Sequence, residues 1–171
     1  MGAGPLRLVV MRHAKTGELP GGPDFDRALT ERGRRDAAAA GRWLRVSGLQ
    51  PDAVLCSPAR RTRQTWLAVQ AELAAAGPGR EAAAQFDEEL YAAHADAILE
   101  IIAATAPEVA TLLCVGHNPA MADLAAEATG QPLEFPTAAI AVAVLPGPWA
   151  AVAQGPGDLG GYWTPRLAAG R

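Results

Sequence analysis

Cysteine is scarce in this chain. The two present among 171 residues, Cys56 and Cys114, sit in apolar runs without a short-spaced partner, which excludes a disulfide scaffold or zinc knuckle and reads both as buried packing residues. Histidine is nearly as rare: His13, His94 and His117 form no His-x-x-x-His pair, so neither a metal nor a cofactor is expected. Aromatics make up 5% of the residues, and Trp43, Trp66, Trp149 and Trp163 lack the interleaved basic residues of a nucleic-acid platform, leaving packing as their reading. Positive charge is not in excess either. With 15 Lys+Arg against 18 Asp+Glu the formal net charge is −3, so nothing draws the chain to nucleic acid or to anionic membranes, and any cationic site has to be local. No apolar run approaches the ~20 residues of a membrane span, the amino terminus has no cleavable signal pattern, and Leu6 stands where a myristoylation signal carries Ser or Thr; the expectation is a soluble cytoplasmic protein.

What is present is apolar and alternating. Half of the chain is hydrophobic, enough for one domain with a substantial core spanning residues 1–171. Strand-like runs at 6–11, 53–56 and 111–115 alternate with helical patterns, which predicts an α/β fold with a mostly parallel sheet. Thr30 caps a helix to about residue 46, closed by Gly48. A second helix carries Pro58 in its first turn and runs to about residue 75, a third spans about 96–106, and a fourth starts at Asn118-Pro119, with Asn118 as cap, and ends near Gly130. Residues 139–145 and 149–153, parted by Pro146-Gly147-Pro148, read as a final pair of strands, and the tail after Gly155 as loop.

The apolar runs break off into groups suited to phosphate chemistry. The first ends in Arg12-His13, the second in Ser57-Pro58-Ala59-Arg60-Arg61, and the third in Gly116-His117-Asn118-Pro119. Parallel sheets bind ligands just outside the carboxyl ends of their strands, so these segments are expected to meet in one cationic crevice. A histidine held neutral beside arginines is a competent covalent nucleophile for phosphoryl transfer, and the arginines with the second histidine supply preorganised positive charge. Two other patterns fail. Gly155-x-Gly157-x-x-Gly160 contains Pro156 and opens no helix, as a dinucleotide loop would; a Cys-x5-Arg phosphatase loop would need arginine six residues after Cys56, where Thr62 stands. His94, in no such motif, reads as a surface residue.

These residues carry a resemblance. Met11-Arg12-His13-Ala14-Lys15 resembles the Arg-His-Gly signature of the histidine phosphatase superfamily, Ser57-Pro58-x-x-Arg61-x-x-Gln64-Thr65 its second motif, and Gly116-His117-Asn118 its third. The segment from Asp24-Phe25-Asp26-Arg27 to Leu29-Thr30-Glu31-Arg32-Gly33 resembles the stretch after the first motif in SixA-type phosphohistidine phosphatases, and order and spacing agree from about residue 6 to 144. The resemblance implies a phosphoglycerate mutase-like fold, a three-layer α/β/α sandwich with a mostly parallel central sheet. It implies His13 as the phosphorylated nucleophile, Arg12 and Arg61 as phosphate clamp, His117 as second pocket histidine, and Thr16 and Asn118 as substrate-binding residues. Ala14 departs from the signature glycine and is expected to serve only where φ stays negative.

Mutase-like relatives use a glutamate after the middle strand as general acid, and Asp87, Glu88 and Glu89 are the candidates here, although a solvated turn explains three adjacent carboxylates equally well. The demand for a proton depends on the leaving group. An alkoxide needs it, whereas imidazole, with a pKa of roughly 6.5, leaves readily. The expected activity is a metal-independent phosphatase acting on phosphohistidine in a protein. The alternatives are a small-molecule phosphomonoesterase, with a sugar or nucleotide phosphate as partner, and a non-catalytic phosphate-binding module.

Overall fold

The computed structural model describes residues 4–79 and 81–170. The reading of the amino terminus falls partly on residues 1–3, outside the described residues. Among the described residues no helix is long and apolar enough to cross a membrane. The strands are β1 (Leu6–Arg12), β2 (Ala53–Cys56), β3 (Ala83–Phe86), β4 (Thr111–Gly116), β5 (Ile140–Leu145) and β6 (Asp158–Trp163). They form one six-stranded sheet in the order β3-β2-β4-β1-β5-β6. The first four in that order are parallel, while β5 runs antiparallel to β1 and β6 antiparallel to β5.

The sheet is central because its inner strands β1, β2, β4 and β5 are apolar on both faces, as a covered parallel sheet requires. Alternation assigns each residue a side. Leu8, Val10, Leu112, Cys114, Ala141 and Ala143 join one core, whereas Val9, Met11, Leu113, Val115, Ile140 and Val142 join the other. Helices α1 (Glu31–Val46) and α2 (Arg60–Ala74) cover the second core, and α4 (Ala95–Ala103) and α5 (Ala120–Thr129) the first, with the short α3 (Glu89–Ala92) between them in sequence and α6 (Pro165–Ala169) closing the described chain. The result is a three-layer α/β/α sandwich with a mostly parallel sheet. Cys56 and Cys114 are free and buried on opposite faces, and burial pushes the Cys56 thiol up to about 12.

The ends of α1 obey local rules. The Thr30 hydroxyl accepts the Gly33 amide at 3.0 Å, and Gly48 takes the left-handed conformation at φ 68. Gly33 also matters for approach: a Cβ there would stand 2.1 Å from the Lys15 carbonyl oxygen, so only glycine lets α1 press against the loop that follows β1.

The structure departs from the sequence pattern in four places, the smallest being that α2 starts at Arg60 with Ala59 as its N-cap, so Pro58 precedes the helix instead of standing in its first turn. The segment read as a strand at 149–153 is a 3-10 helix, Trp149–Gln154, because Trp149 and Val152, three residues apart, both turn into the core and Trp149 Nε1 donates to the Val109 carbonyl at 2.8 Å. The edge strand is instead β6, within the tail read as loop. Glycine disguised it: a Cβ on Gly157 would lie 2.1 Å from the Val144 carbonyl oxygen, so the approach to β5 requires the residue that otherwise signals a turn. Asn118 is not a helix cap. Helix α5 begins after Pro119, and the Asn118 amide donates to the Phe135 carbonyl at 2.8 Å. The short strand β3 and helix α3 had no readable pattern.

Candidate active site

Parallel pairing sets Arg12 beside Gly116 and Cys56 beside Val115, so β1, β2 and β4 end together and release His13, Ser57 and His117 at one edge. The His13 amide donates to the Gly116 carbonyl at 3.0 Å and the Ser57 amide to Val115 at 3.0 Å, continuing the ladders into the site. A cavity of about 510 Å³ opens there, lined by Arg12, His13, Lys15, Thr16, Gly17, Glu18, Arg27, Arg61, His117, Asn118 and Thr137.

His13 is buried, and its Nδ1 lies 2.8 Å from the Ala14 carbonyl. A carbonyl only accepts, so Nδ1 carries the proton and the Nε2 lone pair is left free. Burial holds the imidazole down to about 4, with the Arg61, Arg12 and Arg27 guanidinium groups acting in the same direction and the Ala14 bond opposing them. The ring is therefore a neutral base at neutral pH. Ala14 is accommodated: the only positive φ at a non-glycine among the described residues is that of Ala138, at 64, whose amide donates to the His13 carbonyl at 3.0 Å. The Ala14 amide donates to the Thr65 hydroxyl at 3.0 Å, which in turn donates to the Arg61 carbonyl at 2.7 Å, tying the loop after β1 to the first turns of α2.

His117 lies with its ring centroid 5.3 Å from that of His13. Burial lowers its imidazole to about 3, reinforced by Arg61 and His13. Its Nε2 is 2.7 Å from the Ser57 hydroxyl. A hydroxyl both donates and accepts, so this contact orients the ring with either nitrogen protonated.

Arg61 is 6% exposed, and Asp24 meets it from the loop after β1. Arg61 Nη1 donates to the Asp24 carbonyl at 2.8 Å and Nη2 to its carboxylate at 2.9 Å, while the Tyr91 hydroxyl donates to the same carboxylate at 2.8 Å. Arg27 completes the ring, donating to Asp24 at 3.1 Å and to the Thr16 hydroxyl at 2.7 Å. The Tyr91 hydroxyl, followed by Arg27 and Arg61, holds the Asp24 carboxyl far below the ordinary carboxylate range. Two of the five N–H donors of Arg61 are thus spent on orientation. Arg61 Nε, Arg12 Nε and His117 Nδ1 are buried without a hydrogen-bond partner. The cationic side chains of Arg12, Lys15, Arg27 and Arg61 meet around this one cavity, which makes it a place for an anion rich in acceptor oxygens.

Arg12, His13, Thr16, Arg61, His117 and Asn118 all line this cavity, as the pattern predicts. The general-acid candidates do not. None of Asp87, Glu88 and Glu89 borders it; the Asp87 carboxylate accepts the Glu89 amide at 3.0 Å as a turn cap, and Glu88 and Glu89 are exposed. Glu18 is the carboxylate that lines it among the described residues. Lys15, Glu18, Asp24, Arg27, Ser57 and Tyr91 escaped the residue-level reading. Asp24 and Arg27 stand in the SixA-like segment quoted above, and their i,i+3 spacing was the local signal that the two pair. His94 is exposed, as expected.

The model of the histidine phosphatase superfamily (branch 1) matches residues 8–91. An uncharacterized protein of Mycobacterium tuberculosis is 40% identical over 167 residues, covering 91% of this chain and 100% of that protein. A candidate phosphohistidine phosphatase SixA from Nakamurella multipartitia superposes with a TM-score of 0.84 at 34% identity, covering 95% of this chain and 98% of its own. The protein histidine phosphatase SixA complexed with tungstate superposes with a TM-score of 0.79 at 27% identity, over 95% of this chain and 99% of that one.

Proposed function

The chain belongs to the histidine phosphatase superfamily, in its SixA-type branch, and we propose that this phosphatase removes the phosphoryl group from phosphohistidine on a protein by way of a covalent intermediate on His13. The supporting observation is the meeting of His13, whose Nδ1 proton is held by the Ala14 carbonyl so that the Nε2 lone pair is free, with Arg12, Arg61 and His117 around one cavity. In the first step the substrate ring takes a proton from solvent at its unphosphorylated nitrogen, His13 Nε2 attacks phosphorus, and the substrate N–P bond breaks, its electron pair leaving with a neutral imidazole. In the second, water attacks the phosphorus on His13, the N–P bond to Nε2 breaks, and inorganic phosphate leaves with His13 restored to its neutral form. Arg12, Arg61 and His117 hold the non-bridging oxygens, where charge accumulates in both steps. Asp24, bridged to Arg61, Arg27 and Tyr91, positions the clamp.

The preference for an N–P bond rests on the acid. With Asp87, Glu88 and Glu89 outside the cavity, none of these three carboxyls stands ready to protonate an alkoxide, and a substrate imidazole that takes its proton from solvent leaves without one. A second reading, hydrolysis of a small phosphate ester, has one observation in its favour: Glu18 reaches the cavity wall. We infer likewise that the chain acts as one domain, since its cores lie on the two faces of one sheet.

The test compares kcat/KM, in the presence of chelator, for a phosphohistidine-bearing protein and for a panel of sugar and nucleotide phosphates. A clear preference for phosphohistidine is expected. Preference for an ester contradicts the substrate assignment, and tight phosphate binding without turnover of any compound contradicts the mechanism.

A further inference from the structure

A second and larger cavity, about 1010 Å³, lies beside the catalytic one. The two share a wall. Residues 132–137 line the larger cavity, Thr137 lines both, and the Phe135 carbonyl behind this strap accepts hydrogen bonds from Arg12 and Asn118 of the catalytic side at 3.1 and 2.8 Å. Sheet register fixes their relation. Met11 of β1 faces Ile140 of β5, which faces Trp163 of β6, so the end of β6 emerges on the same edge as Arg12-His13, two strands along. At ~4.8 Å per strand that is about 10 Å between the row that carries the nucleophile and the row that opens the second cavity.

The two cavities differ in chemistry. The charges on the walls of the larger one cancel, Arg32 and Arg166 against Asp36 and Glu134, and Arg32 pairs with Asp36 at 3.5 Å. Its remaining surface is largely apolar, from Leu133, Pro136, Pro165 and Leu167, the last half exposed although leucine is costly to leave in water. Nothing there selects an anion. What fits is an apolar side chain.

Building on the proposed function, we infer that this cavity docks the protein that bears the phosphohistidine, by seating one of its apolar side chains about 10 Å from the phosphoryl group. Continuity with the catalytic cavity across the strap argues for the same molecule occupying both. A substrate polypeptide covers that span with about three extended residues at ~3.3 Å each. The catalytic cavity then reads the phosphoryl group, and the second cavity reads which protein carries it.

The test uses peptides with one phosphohistidine in a glycine-serine background and a single leucine stepped through the positions on either side, with free phosphohistidine as reference substrate. For the wild-type enzyme a leucine about three residues from the phosphohistidine is expected to raise kcat/KM about tenfold over the leucine-free peptide. Leu167→Asp, at an exposed position outside the catalytic cavity, is expected to erase that increment and leave free phosphohistidine turnover unchanged. Equal rates for all leucine positions, or an increment that survives Leu167→Asp, overturn the docking assignment while leaving the chemistry intact. Failure to turn over free phosphohistidine and every peptide overturns the substrate reading beneath it.

Discussion

The two cavities that flank the 132–137 strap are built on opposite principles. Around His13 the reacting and clamping groups at the centre are buried: His13, Arg61 and His117 are all withdrawn from solvent, and His13 and His117 are held neutral down to about 4 and about 3. Across the strap the charges are balanced, with Arg32, Glu134 and Arg166 exposed and Asp36 half-buried, and apolar side chains such as Leu167 and Pro136 meet solvent. Desolvated charge is costly to fold, which makes it a mark of chemistry; exposed apolar surface is a mark of recognition. A single strap of chain separates a region that reacts from one that selects.

Breaking the reactive side should have the largest effect. His13→Ala removes the nucleophile and should lower kcat by about 10⁴-fold or more while phosphate binding persists, measured by single-turnover kinetics and by titration with inorganic phosphate. Arg61→Ala should lower kcat by about a hundredfold to a thousandfold, with circular dichroism checking that α2 survives. The pH profile sharpens the same point. Since the His13 imidazole acts only when neutral and is held down to about 4, kcat/KM should stay flat from neutral pH through pH 5 and fall as pH drops through about 4. An unperturbed histidine would bend the profile near 6.5. The linked stability has the same sign: the unfolded chain binds the proton that the native state resists, so denaturant midpoints should fall as pH drops from about 6.5 towards 4. The smallest effect is expected at the cavity mouth, where Glu18→Gln should leave phosphohistidine turnover within about twofold. A larger loss confined to phosphate esters would assign Glu18 the acid role in the ester reaction.

Legibility in the sequence followed the range of the interactions. His13, Arg61 and His117 were readable because each follows an apolar run that parallel pairing brings to one edge. Thr30 and Gly48 announced the ends of α1 by local capping chemistry. The edge strand β6 was not readable, since Gly157, which leads into it, answers to the backbone of β5, and Gly160 and Gly161 within it to the side chains of Val144 and Trp43, rather than to any local propensity. Asp87, Glu88 and Glu89 carried charge without geometry, and only the fold shows that Asp87 caps a turn. The ring around Asp24 draws Arg27, Arg61 and Tyr91 from separate segments, so no window of sequence contains it. Its function is to aim a guanidinium, a property that exists only after folding.

The central claim is that His13 becomes covalently phosphorylated. The most direct measurement quenches the enzyme during turnover of a phosphohistidine substrate, in the presence of chelator, and maps the phosphoryl group by mass spectrometry under conditions that preserve N–P bonds. The account predicts a transient phosphoryl group on His13, absent in His13→Ala. Sustained turnover with no phosphoenzyme, or a phosphoryl group on any other residue, would contradict it.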